Sequence, residues 1–216
     1  MTIQTTVGCT RSIAATYGAD VAISAITNAS PAVVTLAAGH SVAVGDYVEI
    51  KSGWRNLTDK VLRVSVVMTN DVTLEGFDTS DVVDYPTDQG IGSLRRITAW
   101  HDFDQAKDVK TSGGEQQWLT QTVDGETRER KMPSIRSAIT VDVEVYDDPS
   151  MPWYQTALAA SRTRRPAAYR IRLAIGAISV VNAYWGVGET PSTDKNAEVV
   201  TKVSLAYLTP PQRYAA

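Results

Sequence analysis

From Ala138 to Tyr146 the chain alternates: Ile139, Val141, Val143 and Val145 against Thr140, Asp142, Glu144 and Tyr146. A period of two predicts a strand with one face buried. Asp147-Asp148-Pro149-Ser150-Met151-Pro152 stops it, and Trp153 to Ser161 follows as a short helix. Ser150 is placed to cap that helix, and Pro152 fits its first turn, where a missing N–H has no partner to lose. Trp153, Tyr154, Ala157 and Leu158 form the face that packs on a sheet. Strand patterns return at Tyr169–Ala174, Ala177–Trp185 and Glu198–Leu208.

The first half reads as short strands at regular spacing. Val33–Leu36, Tyr47–Ile50, Val61–Met68 and Val72–Leu74 are separated by turn signals at Ala38-Gly39-His40, Ser52-Gly53-Trp54 and Asn70-Asp71. That spacing predicts a small SH3-like barrel or similar antiparallel unit. Trp100 to Gly114 shows no clean period and predicts a long irregular loop, of the kind that usually carries function. Glu115 to Lys131 predicts a hairpin turning at Asp124-Gly125, broken off by Met132-Pro133-Ser134. The expected organisation is an N-terminal arm and first strand region over 1–22, a small β insertion over 23–97, and a β-sandwich over 98–216 with helix 153–161. The fold class is mainly β.

Composition changes this picture little. With 216 residues, 43% hydrophobic and 21% charged, the chain fits a globular protein with one substantial core and room for a small barrel. The net charge of −3 is unlike a dedicated DNA-binding domain. No stretch reaches the ~18 apolar residues of a membrane helix, and Met1–Thr10 lacks the pattern of a secretory leader. Cys9 is the single cysteine, so no intrachain disulfide forms, and synthesis in a reducing cytoplasm is expected.

Candidate chemistry is sparse. His40 and His101 lie outside metal-ligand spacing of each other and of Cys9. Asp147-Asp148 reads as a strand end and helix lead-in, not an acid–base pair. Gly90-Ile91-Gly92 and Gly186-Val187-Gly188 lack the third glycine and following helix of a dinucleotide loop. No catalytic residue, cofactor site or metal site is expected, and the chain is not expected to be an enzyme. Arg162, Arg164 and Arg165, with Arg170 and Arg172 beyond them, form one basic cluster, suited to a helix C-terminus and to pairing with a neighbour's carboxylates. Trp153 and Trp185 read as core. Trp54 is left open between core and an exposed stacking platform.

Three stretches carry a resemblance. The C-terminal half has Val141-Asp142-Val143-Glu144-Val145-Tyr146-Asp147-Asp148-Pro149-Ser150, the Trp153–Leu158 helix, Arg170 to Trp185, and a last strand ending Leu208-Thr209-Pro210-Pro211. The second is Ser52–Thr58 with Val61–Val64 and Leu74–Thr79; the third is the irregular segment before the hairpin. In this order they resemble the tail tube protein, or major tail protein, of long-tailed, siphophage-type bacteriophages. The resemblance implies a β-sandwich with one flanking helix. It implies six-fold rings that stack into a hollow tube, and a conduit for double-stranded DNA during ejection into the host. It also implies a virion component assembled in the bacterial cytoplasm, with tail initiator or baseplate, tape measure and tail terminator proteins as partners, and DNA passing without sequence-specific binding.

Within that frame, strands left open in one copy are completed by the next. Gln117 and Gln121 of the hairpin, with Asp142 and Glu144, are candidates to line the lumen, where a carboxylate and amide surface lets phosphates pass. Asp104, Lys107, Asp108, Lys110, Gly113 and Gly114 are the candidate assembly loop, and Arg162, Arg164 and Arg165 a candidate subunit interface. Two alternatives stay open: a surface carbohydrate-binding or decoration module, and the tube of a secretion machine related to phage tails.

Overall fold

In a computed structural model of the chain, the described residues are 8–103, 105–122, 128–192 and 198–216. The Asp124-Gly125 turn and Asp104 lie outside them. In chain order the strands are β1 (Thr10–Tyr17), β2 (Val21–Ile26), β3 (Val33–Leu36), β4 (Tyr47–Ser52), β5 (Val61–Met68), β6 (Asp71–Leu74) and β7 (Gly92–Asp102). Then come β8 (Ala106–Ser112), β9 (Gln116–Gln121), β10 (Arg130–Arg136), β11 (Thr140–Tyr146) and helix α1 (Pro152–Thr163). β12 (Ala167–Arg172), β13 (Ile178–Val187), β14 (Val200–Tyr207) and β15 (Gln212–Tyr214) complete the chain.

The small β unit is a closed barrel. Its antiparallel order is β2-β3-β6-β5-β4-β7, and β7 pairs back onto β2, so no edge remains. Alternation along each strand turns Val34, Leu36, Ile50, Leu62, Val64 and Leu94 into one core. Trp54 belongs to that core at 2% exposure and donates its indole N–H to Pro86 O at 2.7 Å. It is therefore no stacking platform.

The C-terminal unit is a second curved sheet, β7-β1-β12-β13-β14-β11-β8. Its two ends are consecutive in the chain. Phe103 N–H still bonds Arg11 O of β1 at 2.8 Å, whereas Gln105 O already accepts from Tyr146 N–H of β11 at 3.2 Å. The chain thus changes partner within two residues and draws the sheet round on itself. Phe103, at the crossing, is 1% exposed and packs 5.5 Å from Trp153 and 6.0 Å from both Tyr169 and Trp185, ring centre to ring centre. α1 closes this core with Trp153, Tyr154 and Ala157.

The two units share β7, so the expected boundary at residue 97 falls inside one strand. A third cluster seals them together: Tyr47, Val61 and Ile97 from one side, Ala168, Val180 and Tyr214 from the other. Tyr214 Oη accepts the Arg63 backbone N–H at 2.7 Å, and Arg170 lies 4.4 Å over the Trp100 ring.

Several local expectations are corrected. Trp100–Gly114 is not an irregular loop: β7 runs to Asp102, and β8 holds Lys107, Asp108 and Lys110 in the sheet. Its polar residues hid the strand because one edge and one face of β8 look outward, leaving Val109 as its main inward apolar anchor. Ser150 does not cap α1; the N-cap is Met151, and Ser150 gives both its N–H and hydroxyl to Asp148. Met132-Pro133-Ser134 does not end the hairpin but lies within β10, with Pro133 opposite Trp118. A proline is tolerated there because β10 pairs on one side only.

Candidate assembly surfaces

β8 and β11 continue beyond the sheet as β9 and β10. The register is unbroken across the junction: Ser112 faces Thr140, Ser137 N–H bonds Glu115 O at 3.0 Å, and Gln116 faces Arg136. A single two-stranded ribbon therefore begins in the sheet and leaves it as an arm. The exit is set by Gly113 and Gly114, with φ of 84° and 81°. A Cβ on Gly113 would sit 1.9 Å from Ala138 O, so only glycine fits this crossing.

β9 and β10 form a sheet of their own, with no layer packed on either face among the described residues. Trp118, Leu119, Met132 and Ile135 are 60%, 57%, 44% and 75% exposed. Leu119 faces Met132 and Trp118 faces Pro133, and adjacent strand residues point to opposite sides. Each side of the arm thus carries its own apolar pair. An isolated hairpin is marginal in water, and apolar groups on both faces are the composition of a strand pair meant to be covered twice.

Below the arm, the outward face of β8, β11, β14 and β13 forms a shallow polar wall with a groove of about 580 Å³. Asp108, Asp142 and Glu144 meet Lys110 and Lys202 on it, three carboxylates against two ammonium groups. The hydrogen bond from Lys110 at 3.0 Å, together with its charge, holds the Asp108 carboxyl below the usual range, so the wall stays ionised. Asp142 and Glu144 are thus brought together. Gln117 and Gln121 are not part of that wall; they stand on the arm, exposed, on the same strand face as Leu119.

The family model for phage tail tube protein (TTP) matches residues 52–216, well over half of the chain. The chain belongs to the phage tail tube protein family. It is a structural component of the phage tail, and membership implies self-assembly into a tube together with other tail components. The match begins inside β4, so it takes in most of the small barrel as well as the C-terminal unit. A chain in a structure titled "Cryo-EM structure of the anti-feeding prophage (AFP) baseplate, 6-fold symmetrised" is similar at 12% identity, covering 55% of this chain and 86% of that one. Its TM-score of 0.41 is too low to carry an argument. No curated protein sequence matches the chain.

For a tail tube protein the remaining candidates fall into place by geometry. Arg162 pairs with Glu189 at 2.8 Å on the surface. Arg164 ends α1 in the left-handed region (φ 52°), and Arg165 is exposed on the rim of a groove between α1 and β1. Arg170 is separate from them, held between Trp100 and Tyr47 at the junction of the two units. His40 bonds Thr69 O and His101 bonds Thr156 Oγ1. Asp147 accepts from Thr201 Oγ1. No cluster of three or more metal-ligating side chains occurs among the described residues, and no helix is long and apolar enough to cross a membrane. The residues missed from sequence are the apolar ones of the arm. Their signal was present: Trp118-Leu119 breaks the period of two with neighbouring apolar side chains, the mark of a strand covered on both faces.

Proposed function

We propose that this chain polymerises into closed rings that stack as the tube of a phage tail, with the β9–β10 arm of each copy completed by a neighbouring copy. The observation that carries this reading is the arm itself, an ordered ribbon with apolar pairs on both faces and nothing covering either. Burying such side chains against a neighbour contributes about 1.5–3 kcal/mol each, enough to drive addition to an existing ring. β8 supplies a second open margin, since it pairs only with β11.

The polar wall is the candidate lumen surface. Asp142 and Glu144, balanced by Lys110 and Lys202, give it a slight negative excess. Such a surface does not accumulate phosphate contacts, whose released counterions would add affinity and slow the passage of double-stranded DNA. Gln117 and Gln121 act with the arm, at its contact with the next copy. Lys107, Asp108 and Lys110 belong to the β8 margin, and Gly113 and Gly114 aim the arm. Six-fold symmetry, growth from a tail initiator or baseplate on a tape measure protein, and closure by a terminator belong to the same reading.

The test is assembly. Concentrated full-length protein, alone and with tail initiator complexes, is imaged by electron microscopy and sized by sedimentation. Hollow tubes are expected, together with a folded, non-polymerising monomer when residues 116–136 are replaced by a short turn. Normal tubes from that shortened chain would refute the role given to the arm.

A further inference from the structure

The most exposed large apolar residue of the described chain is not on the arm. Val83 is 84% exposed and Val82 56%, at the tip of the connection 75–91 between β6 and β7. A connection of this length without secondary structure is usually functional. This one is firmly held. Asn28 Nδ2 donates to Thr79 O at 3.0 Å and to Tyr85 O at 2.7 Å, and the buried Thr79 hydroxyl donates to Thr27 O. Tyr85 packs edge-on against Trp54 and Phe77, at 5.3 and 6.0 Å. The tip is closed by Asp81, whose carbonyl takes Tyr85 N–H and whose carboxylate takes Val83 N–H. Two valines are thus presented to solvent on a rigid base, flanked by Asp81 and Asp84. Burial, and then the charges of Asp84, Asp78 and Asp81, push the Tyr85 phenol up, a sign of the negative field around the tip.

The molecule also carries a complementary surface. Between α1 and β1 runs a groove of about 500 Å³, its floor lined by Ala14, Ala159, Ala160, Pro166 and Ala167. Arg165 stands on its rim, next to the exposed Arg164. Arg95 also reaches the groove, but its charge is engaged by Glu49 at 2.7 Å and lies over the Tyr17 ring. The free cations are therefore those at the end of α1. We infer that the Asp81-Val82-Val83-Asp84 tip of one copy docks into the α1–β1 groove of a second copy, valines on the alanine floor and aspartates on Arg164 and Arg165. Tip and groove are different surfaces, so the contact is head-to-tail, the kind that propagates around a ring or along a stack. It rests on the proposal that the chain self-assembles, and it gives the small barrel and the basic end of α1 one common task.

Charge reversal tests it. Asp81→Arg with Asp84→Arg gives a basic tip facing a basic groove; Arg164→Asp with Arg165→Asp gives an acidic groove facing an acidic tip. Each variant alone is expected to raise the protein concentration needed for tubes by about tenfold or more, with an unchanged thermal melt, since all four residues are exposed. An equimolar mixture of the two variants offers only opposite charges at alternating contacts and is expected to recover assembly. Val83→Asp should fail alone and in every mixture of full-length chains that contains no intact tip. If wild-type chains form tubes and each reversed variant does so at the same concentration, or the mixture shows no recovery, this contact is wrong while the assembly role stands. If the wild type forms no tubes under any condition, the assembly proposal fails and this contact falls with it.

Discussion

The ribbon formed by β8–β9 and β10–β11 is one continuous pairing with two opposite fates. In its lower half, Val141, Val143 and Val145 are buried against Trp185, Val203 and α1. In its upper half, Trp118, Leu119, Met132 and Ile135 stand in solvent. Backbone pairing and register are the same on both sides of Gly113 and Gly114. What differs is the second layer. The lower half has a helix and a curled sheet over it, and the upper half has no counterpart in its own chain. The comparison teaches that this protein is finished as a fold up to the glycine pair and unfinished beyond it, which is what a subunit of a polymer requires.

The sharpest way to break that comparison is a proline in each half. Val143→Pro removes a donor from β11, paired on both sides, and should abolish cooperative folding, a loss of at least about 3 kcal/mol. Ser134→Pro in β10, paired on one side only, should leave the thermal transition of the monomer in place. Next comes a pair of tryptophans. Trp185→Ala empties the aromatic cluster around Phe103 and should cost about 3–5 kcal/mol in denaturant unfolding. Trp118→Ala should move that same transition by no more than about 0.5 kcal/mol, yet raise the concentration needed for tubes.

Alkaline pH separates the halves in another way. Burial pushes the phenols of Tyr17 and Tyr207 up to about 12, and the arm holds no tyrosine. A raised phenol binds its proton more tightly in the folded than in the unfolded chain. Its contribution is therefore complete below the unfolded value near 10 and is lost as pH rises toward 12. Between pH 9 and 11 the body should lose roughly 2–3 kcal/mol from these two groups, read by urea titration at each pH. The smallest effect is at the hinge. Gly113→Val forces a side chain into the left-handed region and against Ala138 O; it should cost about 1–3 kcal/mol and redirect the arm, so that assembly falls further than stability.

Much of this molecule was legible in the chain. The Val33–Leu36 and Val61–Met68 strands match β3 and β5 end to end, and the alternation at 138–146 marks β11. The chemistry of punctuation also worked, as with Pro152 in the first turn of α1. Two things escaped. β7 and β8 escaped because a strand shared by two cores, followed by one open to solvent, shows no clean period: Trp100 packs at the junction, Phe103 at a crossing, and Val109 alone anchors β8 inward. The site escaped in part because the polar residues expected to act together, Gln117 and Gln121 with Asp142 and Glu144, belong to different halves of the ribbon.

The sequence by itself determined the local elements and the family, since both follow from residue types in order along the chain. Alternating side chains choose strands, and glycines and prolines choose where they turn. Tertiary structure alone decided that two barrels share β7, that Trp54 is core while Trp118 is surface, and that one hairpin is half buried and half bare. Those outcomes depend on which layer covers which face, a matter of contacts between residues far apart in the chain, and no local pattern records them.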